Sequence, residues 1–145
     1  MTAQKNIHFL KESIFKKLHD DATLITLLAG ADRIFNRDIP KEVVYPCIVY
    51  NILSDTQFTY NEAQCGSRVS QTYFTITIFS NNPETESIDN IEARVFEILN
   101  GQRTLDNTKI ICYGCYKDNI LEPMKDPDLQ VWVMPIRYRV TWSTK

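Results

Sequence analysis

The two cysteines at positions 112 and 115 are the residues whose spacing most clearly suggests chemistry. The segment Cys112-Tyr113-Gly114-Cys115 has the two-residue gap of half a zinc ribbon or of a redox dithiol. No second Cys-x-x-Cys pair and no histidine pair completes four ligands. Strand residues three apart face opposite sides of a sheet, so only a bulge at Gly114 brings the two sulfurs together. We therefore expect structural cysteines, and a small metal-binding or redox protein remains a distant alternative.

Other patterns that support catalysis are missing from the sequence. His8 and His19 are too far apart on a predicted helix to share a metal, and no nucleophile lies near them in sequence. The four glycines are scattered and form no loop that could cradle a phosphate. The acidic residues between positions 84 and 92 fall in the first turns of a predicted helix, where the helix dipole favours negative charge. The sequence predicts no catalytic residues, no cofactor and no enzyme.

Aromatic and arginine side chains outside the predicted core are candidates for a protein interface. Phe9 lies opposite the apolar stripe of the first predicted helix, and Phe58 and Tyr60 alternate along a polar segment. Arg137 and Arg139 lie on the outer face of the last predicted strand. Such residues are enriched where proteins meet proteins. The alternatives are that the rings pack under neighbouring loops and that the arginines pair with acidic residues on adjacent strands.

Length and composition favour one domain and exclude several partner classes. The chain has 145 residues, 43% of them hydrophobic, which suffices for a single core spanning residues 1–145. Its net charge of -2 provides no global attraction for nucleic acid or an anionic membrane. No apolar run is long enough to cross a bilayer, and the polar start does not resemble a signal peptide. We expect a protein made and kept in a cytosol, with four free thiols and no membrane partner.

Three segments have the apolar spacing of amphipathic helices. The second is short, begins after Asp20 or Asp21 and ends at Gly30, which suits a left-handed residue. The third runs from Pro83 to Asn100 with Asn82 as its cap. The predicted buried stripes are Ile7, Leu10, Ile14 and Leu18, then Leu24, Leu27 and Leu28, then Ile88, Ile91, Val95, Ile98 and Leu99.

About four main strands are predicted, at residues 47–53, 70–80, 109–117 and 132–142. The clean alternation of the last strand indicates one buried face, which favours an antiparallel sheet with helices on one side. Pro135 has no amide donor, so this strand is expected at an edge or to be bulged there. Residues 54–68 are predicted to form a protruding arm or long hairpin loop. The fold class is therefore α+β, with an N-terminal helix pair and one long helix packed on the sheet.

The order of these segments resembles the tail-completion, or tail-terminator, family of tailed bacteriophages and prophages. The likeness covers nearly the whole chain and continues through the last strand. No segment is specific to the family by itself, so the resemblance rests on the order and spacing of all the segments together. The pieces are Ile14-Phe15-Lys16-Lys17-Leu18, Asp21-Ala22-Thr23-Leu24, Leu27-Leu28-Ala29-Gly30, Arg33-Ile34-Phe35, Ile39-Pro40, Tyr45-Pro46-Cys47-Ile48-Val49-Tyr50, Thr75-Ile76-Thr77-Ile78-Phe79-Ser80 and Leu99-Asn100-Gly101.

This resemblance implies a structural subunit without enzyme activity. Members of the family form a ring, usually a hexamer, on the head-proximal end of a finished tail tube. The ring ends tube polymerisation and presents a surface to head-completion or connector proteins. The implied partners are further copies of the chain, the tail tube protein and a connector protein, with DNA only as cargo passing through the ring. The implied location is the virion tail.

Two other functions remain open at this point. A head-completion or neck protein shares the phage context and the ring symmetry, and its binary partner would distinguish it. The cysteine-dependent alternative depends on Cys112 and Cys115, and metal analysis would reveal it. A small-molecule binding module has no sequence feature in its favour.

Overall fold

In a computed structural model that describes residues 7–57, 69–128 and 130–144, three helices cover one face of a mixed sheet of six strands. The strand order is β1-β2-β3-β6-β4, and β5 pairs with β6. Only the β1–β2 pair is parallel within these residues. The elements are α1 (Ile7–His19), α2 (Ala22–Leu28), β1 (Ile34–Asn36), β2 (Cys47–Gln57), β3 (Ser70–Ser80), α3 (Glu86–Leu99), β4 (Ile110–Ile120), β5 (Met124–Asp126) and β6 (Val131–Thr144).

The core lies between the helices and one face of the sheet, and the predicted apolar stripes supply most of it. The rings of Phe74 on β3 and Tyr138 on β6 stack at the centre of the sheet, 5.6 Å apart. The predicted stripe of α3 is buried as expected, as is most of the α1 stripe. Core residues on these elements are Leu10, Ile14, Leu18, Phe74, Ile76, Ile78, Ile88, Ile91, Val95, Leu99, Ile136, Tyr138, Val140 and Trp142.

The end of α2 differs from the prediction by one residue. Asp21 caps the start, where its carboxylate accepts a hydrogen bond from the Leu24 amide at 2.8 Å. The left-handed residue at the other end is Ala29, with φ of 61°, and not Gly30. The amides of Ala29 and Gly30 donate to carbonyls of the last helical turn, as in a Schellman-type ending. The glycine therefore follows the left-handed position instead of occupying it.

The start of α3 also differs from the prediction. The helix begins at Glu86, with Thr85 as the residue before it, so Pro83 lies outside the first turn. Asn82 accepts a hydrogen bond from the Glu84 amide at 3.0 Å, which closes a turn ahead of the helix and does not cap it. Gly101 follows the helix with φ of 139°, a conformation that residues with a side chain rarely adopt.

The sheet has two more strands than the four main ones predicted. Strands β1 and β5 are three residues long, which is too short to show an alternating pattern in sequence. The predicted arm also begins later than expected, because residues 54–57 belong to β2 and pair with residues 70–73 of β3. The rest of that predicted arm, residues 58–68, lies outside the described residues.

Strand β6 is an interior strand, which corrects the prediction made from Pro135. It pairs with β3 along its length without a bulge, and Pro135 lies opposite Thr77. On the other side, the Pro135 carbonyl accepts a hydrogen bond from Leu121, beyond the last β4 pair at Ile120. The N and O atoms of a strand residue point to the same side, so the position without a donor faces the gap between β4 and β5. The one bond that Pro135 cannot donate would lie beyond the last β4 pair, so the assigned ladders on both sides of β6 are intact.

None of the described helices is long and apolar enough to span a membrane.

Candidate functional site

The face of the sheet opposite the helices carries a group of tyrosine and arginine side chains, which are residue types enriched in protein interfaces. We call it the open sheet face, because α1, α2 and α3 pack against the other side. Both arginines predicted for the outer face of the last strand lie on it and are exposed. The group consists of Tyr73 on β3, Arg137 and Arg139 on β6, and Tyr113 and Tyr116 on β4.

Arg139 lies at the centre of this group. It is directly opposite Tyr73 on β3 and directly opposite Tyr116 on β4, so a tyrosine flanks it on each side. Side chains paired in this way across antiparallel strands have Cβ atoms about 5 Å apart. Within the described residues, Arg139 forms no ion pair. The row Tyr73–Arg139–Tyr116 therefore presents one uncompensated cation between two rings.

Arg137, the second predicted arginine, is already paired. Its Nη2 and Nε atoms lie 2.6 and 2.7 Å from the Asp118 carboxylate. Its guanidinium also lies 5.3 Å from the centre of the Tyr73 ring. This pairing is the alternative that sequence reasoning left open for both arginines, and the structure shows it for Arg137 only. Of the two arginines on this face, Arg139 is therefore the one without an acidic partner in the described residues.

A bulge in β4 determines which of its side chains reach the open sheet face. The register with β6 shifts between Cys112 and Gly114, so Tyr113 is an extra residue in the strand. Tyr113 is 46% exposed, and its hydroxyl lies 3.0 Å from that of Ser143. A Cβ on Gly114 would lie 2.6 Å from the Tyr116 ring, so this ring rests directly over the glycine. Gly114 thus lets an aromatic ring lie flat on the sheet.

The same bulge places both Cys112 and Cys115 in the core. Each is fully buried, and both are free thiols. Burial raises the pKa of the Cys112 thiol, and it raises the pKa of Cys115 further. A protonated thiol is a poor metal ligand and a poor nucleophile. In the described parts of the chain, no group of three or more His, Cys, Asp or Glu side chains is placed to hold a metal.

The remaining predicted interface residues are elsewhere. Phe9 is half-buried on α1, and the Lys109 ammonium lies 4.7 Å from its ring centre. The Asn107 amide approaches the Phe9 carbonyl at 3.5 Å, so the loop before β4 partly covers this position. Phe9 is therefore not near Arg137 and Arg139. Phe58 and Tyr60 lie outside the described residues.

The outer edge of β4 is covered by the chain segment that follows α3. Residues 100–107 run along it and satisfy its backbone groups one after another. Because an open strand edge is a template for pairing with another chain, this cover restricts where the sheet can be extended. The bonds are Ile110 with Asn107 at 2.9 and 3.3 Å, Cys112 to Asp106 at 2.5 Å, Cys115 with Gly101 at 2.7 and 2.9 Å, and Lys117 to Asn100 at 2.9 Å.

An open cleft of about 790 Å³ lies between α1, α3 and residues 103–109. Arg94 is within it, and its guanidinium contacts Asp21 and Glu97 at 2.6 and 2.8 Å. Arg103 contacts Asp106 at 3.3 Å in the same cleft. Five basic and five acidic side chains line the cleft in all, so neither charge is in excess there.

Sequence reasoning missed the three tyrosines of the open sheet face and the contact between Arg94 and Asp21. The alternation along β3 turns Tyr73 away from the core, but its position beside Arg139 depends on the strand order, which the sequence does not show. The positions of Tyr113 and Tyr116 on this face depend on the bulge in β4, and alternation along the strand does not predict where a bulge occurs. A glycine followed two residues later by an aromatic residue was the one available signal.

Comparison with known structures supports the fold. A chain in the structure described as "Virion of native gene transfer agent (GTA) particle" superposes with a TM-score of 0.70. The two chains are 11% identical, and the match covers 94% of this chain and 95% of that chain. At this identity the likeness shows the fold alone. No curated protein matches the sequence.

The family comparison is more specific. A family model described as "Tail completion protein gp17" matches residues 12–113, which is more than half of the 145 residues. The matched range includes most of α1, all of α2, α3, β1, β2 and β3, the start of β4 and the segment that covers the β4 edge. This protein therefore belongs to the tail completion protein gp17 family and is a structural protein of phage tails.

Proposed function

We propose that this protein forms a ring, of six subunits by analogy with the family resemblance, that caps the head-proximal end of the tail tube. The ring ends tube polymerisation and provides the surface that joins the head-completion or connector protein. The family match over residues 12–113 is the observation that carries this proposal. DNA passes through the ring as cargo, and the protein is present in the virion tail after assembly in the host cytoplasm.

Two features of the fold support a role in assembly. A closed ring needs a heterologous contact, in which two different patches of one subunit meet. The open sheet face and the helix layer are two such surfaces, with different side chains and different charge. The covered β4 edge leaves the contacts of the ring to these surfaces and to the opposite edge of the sheet. The predicted arm of residues 54–68, of which residues 54–57 belong to β2, is proposed to contact a neighbouring subunit or the last ring of the tube.

Electron microscopy of purified protein mixed with tail tubes tests the proposal. We expect additional density at one end of each tube and no further tube growth when tube subunits are added. Tubes incubated without the protein are the control, since they should continue to grow. Protein that never localises to a tube end, under conditions where tubes stay intact, contradicts the proposal.

A head-completion or neck protein is the second candidate, because it shares ring symmetry and the same virion. Binary binding separates the two functions. Immobilised protein should retain the tube protein if it is a tail cap, and should retain only the connector if it is a neck protein. Retention of the connector alone would replace the proposed function with the second one.

A further inference from the structure

The open sheet face carries a charge that its own subunit does not neutralise. Arg137 is balanced by Asp118, whereas Arg139 is exposed between Tyr73 and Tyr116 without an ion pair in the described chain. Tyrosine and arginine are the residues that most often dominate protein interfaces. Arg139 lies opposite a tyrosine on each neighbouring strand, and its planar guanidinium can bind a carboxylate through two parallel hydrogen bonds.

The charge of this face favours a protein partner over DNA. Proteins that bind duplex DNA through its backbone typically neutralise about six to ten phosphates. Of the two arginines on the open sheet face, Arg137 is paired with Asp118, so Arg139 alone is left to contact a phosphate. One cation among three tyrosines fits a carboxylate on a protein surface.

The same chain carries complementary carboxylates on the opposite layer. Glu86 and Asp89, in the first turn of α3, and Glu84 just before it are exposed. None of the three forms an ion pair within the described residues, whereas Glu92 in the next turn is bound by Lys117 at 3.1 Å. The cation and the carboxylates lie on opposite layers of the fold, so they cannot meet within one subunit.

We infer that Arg139, with Tyr73 and Tyr116, binds the acidic first turn of α3 of a second copy of this chain. The contact is heterologous, because the sheet layer of one subunit meets the helix layer of the next. It rests on the proposed function, since it names the subunit contact from which the ring is built.

Sedimentation velocity of the full chain with charge-reversal variants tests this contact. Wild-type protein, from about 1 μM to about 1 mM, should associate at about 50 mM salt and less at about 500 mM. Arg139→Glu should raise the dissociation constant at least tenfold, on the order expected for like charges in an interface. Lys41→Glu, a charge reversal in an exposed turn before β2, is the matched control and should leave association unchanged.

A charge swap gives the decisive result. Glu86→Arg with Asp89→Arg should weaken association alone, and combining this pair with Arg139→Glu should restore most of it. Circular dichroism melts establish that every variant is folded. Wild-type protein that stays monomeric throughout, or Arg139→Glu protein that associates like wild type, overturns the inference. A DNA mobility shift that Arg139→Glu abolishes overturns the choice of partner.

Failure here is distinguishable from failure of the proposed function. If Arg139→Glu protein still caps tail tubes as wild type does, the ring uses another contact and the function stands. If wild-type protein associates through this contact but never localises to a tube end, the function fails and the contact stands.

Discussion

Arg94 on α3 holds both carboxylate oxygens of Asp21, the residue that caps α2. The Arg94 Nε atom lies 2.9 Å from Oδ2, and Nη2 lies 2.6 Å from Oδ1. Oδ2 also accepts the hydrogen bond from the Leu24 amide. One carboxylate therefore both starts α2 and binds it to α3, and two-point arginine pairs of this kind fix orientation as well as contributing energy. The side chain of Asp21 is only 17% exposed.

Substitution of Asp21 should separate its two roles. Asp21→Ala removes the helix cap and the partner of Arg94, and we expect the free energy of unfolding to fall by about 1–3 kcal/mol. Asp21→Asn keeps a capping oxygen and loses the charge, so its loss should be smaller. Urea denaturation followed by circular dichroism measures both. Equal stability of wild type and Asp21→Ala would show that the contact contributes nothing.

Acid should weaken the same contact. The Arg94 guanidinium, together with the hydrogen bond from the Leu24 amide, holds the pKa of Asp21 below its ordinary value of 3.8. A lowered folded pKa means that this stabilisation is fully present above the unfolded pKa and is lost as pH falls through the folded one. Unfolding measured from pH 6 down to about pH 2 should lose less stability in Asp21→Asn than in wild type. Parallel pH profiles would contradict this assignment.

The left-handed residue at the end of α2 can be tested by exchanging glycine and alanine. Ala29 has φ of 61° and is exposed, so Ala29→Gly relieves backbone strain without removing a core contact. The relief exceeds the extra entropy of the unfolded chain by about 0.5 kcal/mol, and stability should rise by that amount. Gly30→Ala is the matched variant. Its new methyl meets the flexible Arg33 side chain at 3.1 Å, and stability should change by less than about 0.5 kcal/mol. A large loss at Gly30→Ala, with none gained at Ala29→Gly, would place the left-handed residue at position 30.

The core cysteines should resist modification in the folded protein. Burial raises the pKa of Cys47 to about 11, and Cys112 and Cys115 are equally enclosed. Because the thiolate is the reactive form, a thiol reagent at pH 8 should label these three residues only after urea is added. Peptide mass spectrometry assigns the label to each residue. Rapid labelling of Cys112 or Cys115 in native protein, or protection of either by zinc, would restore the metal or redox alternative.

The elements that sequence predicted well are those with a sustained period. The stripe of α3 and the alternation of β3 and β6 extend over eleven residues or more, so local pattern and tertiary burial agree. Strands β1 and β5 have three residues each and no readable period. Asn82 and Pro83 looked like a helix start because Asn and Pro favour both helix starts and turns, and here they form the turn.

The candidate site was predictable only in part. Arg137 and Arg139 point away from the core because residues alternate along a single strand, and this alternation can be read from the sequence. Their neighbours depend on strand order and on the bulge at Tyr113, which are set by packing between distant segments. For that reason the sequence alone does not distinguish the two arginines. Only the structure shows that Arg137 pairs with Asp118 and that Arg139 lies opposite two tyrosines.

Pro135 also lies where β6 changes its pairing partner on one side. The Leu121 amide donates to the Pro135 carbonyl, but Pro135 has no amide hydrogen with which to return the second bond of an antiparallel pair. The β4 ladder therefore ends at Ile120, and β5 continues the pairing with β6 from Val133 onwards. The residue that looked like the mark of an edge strand thus lies inside the sheet, at the point where one side of β6 passes from pairing with β4 to pairing with β5.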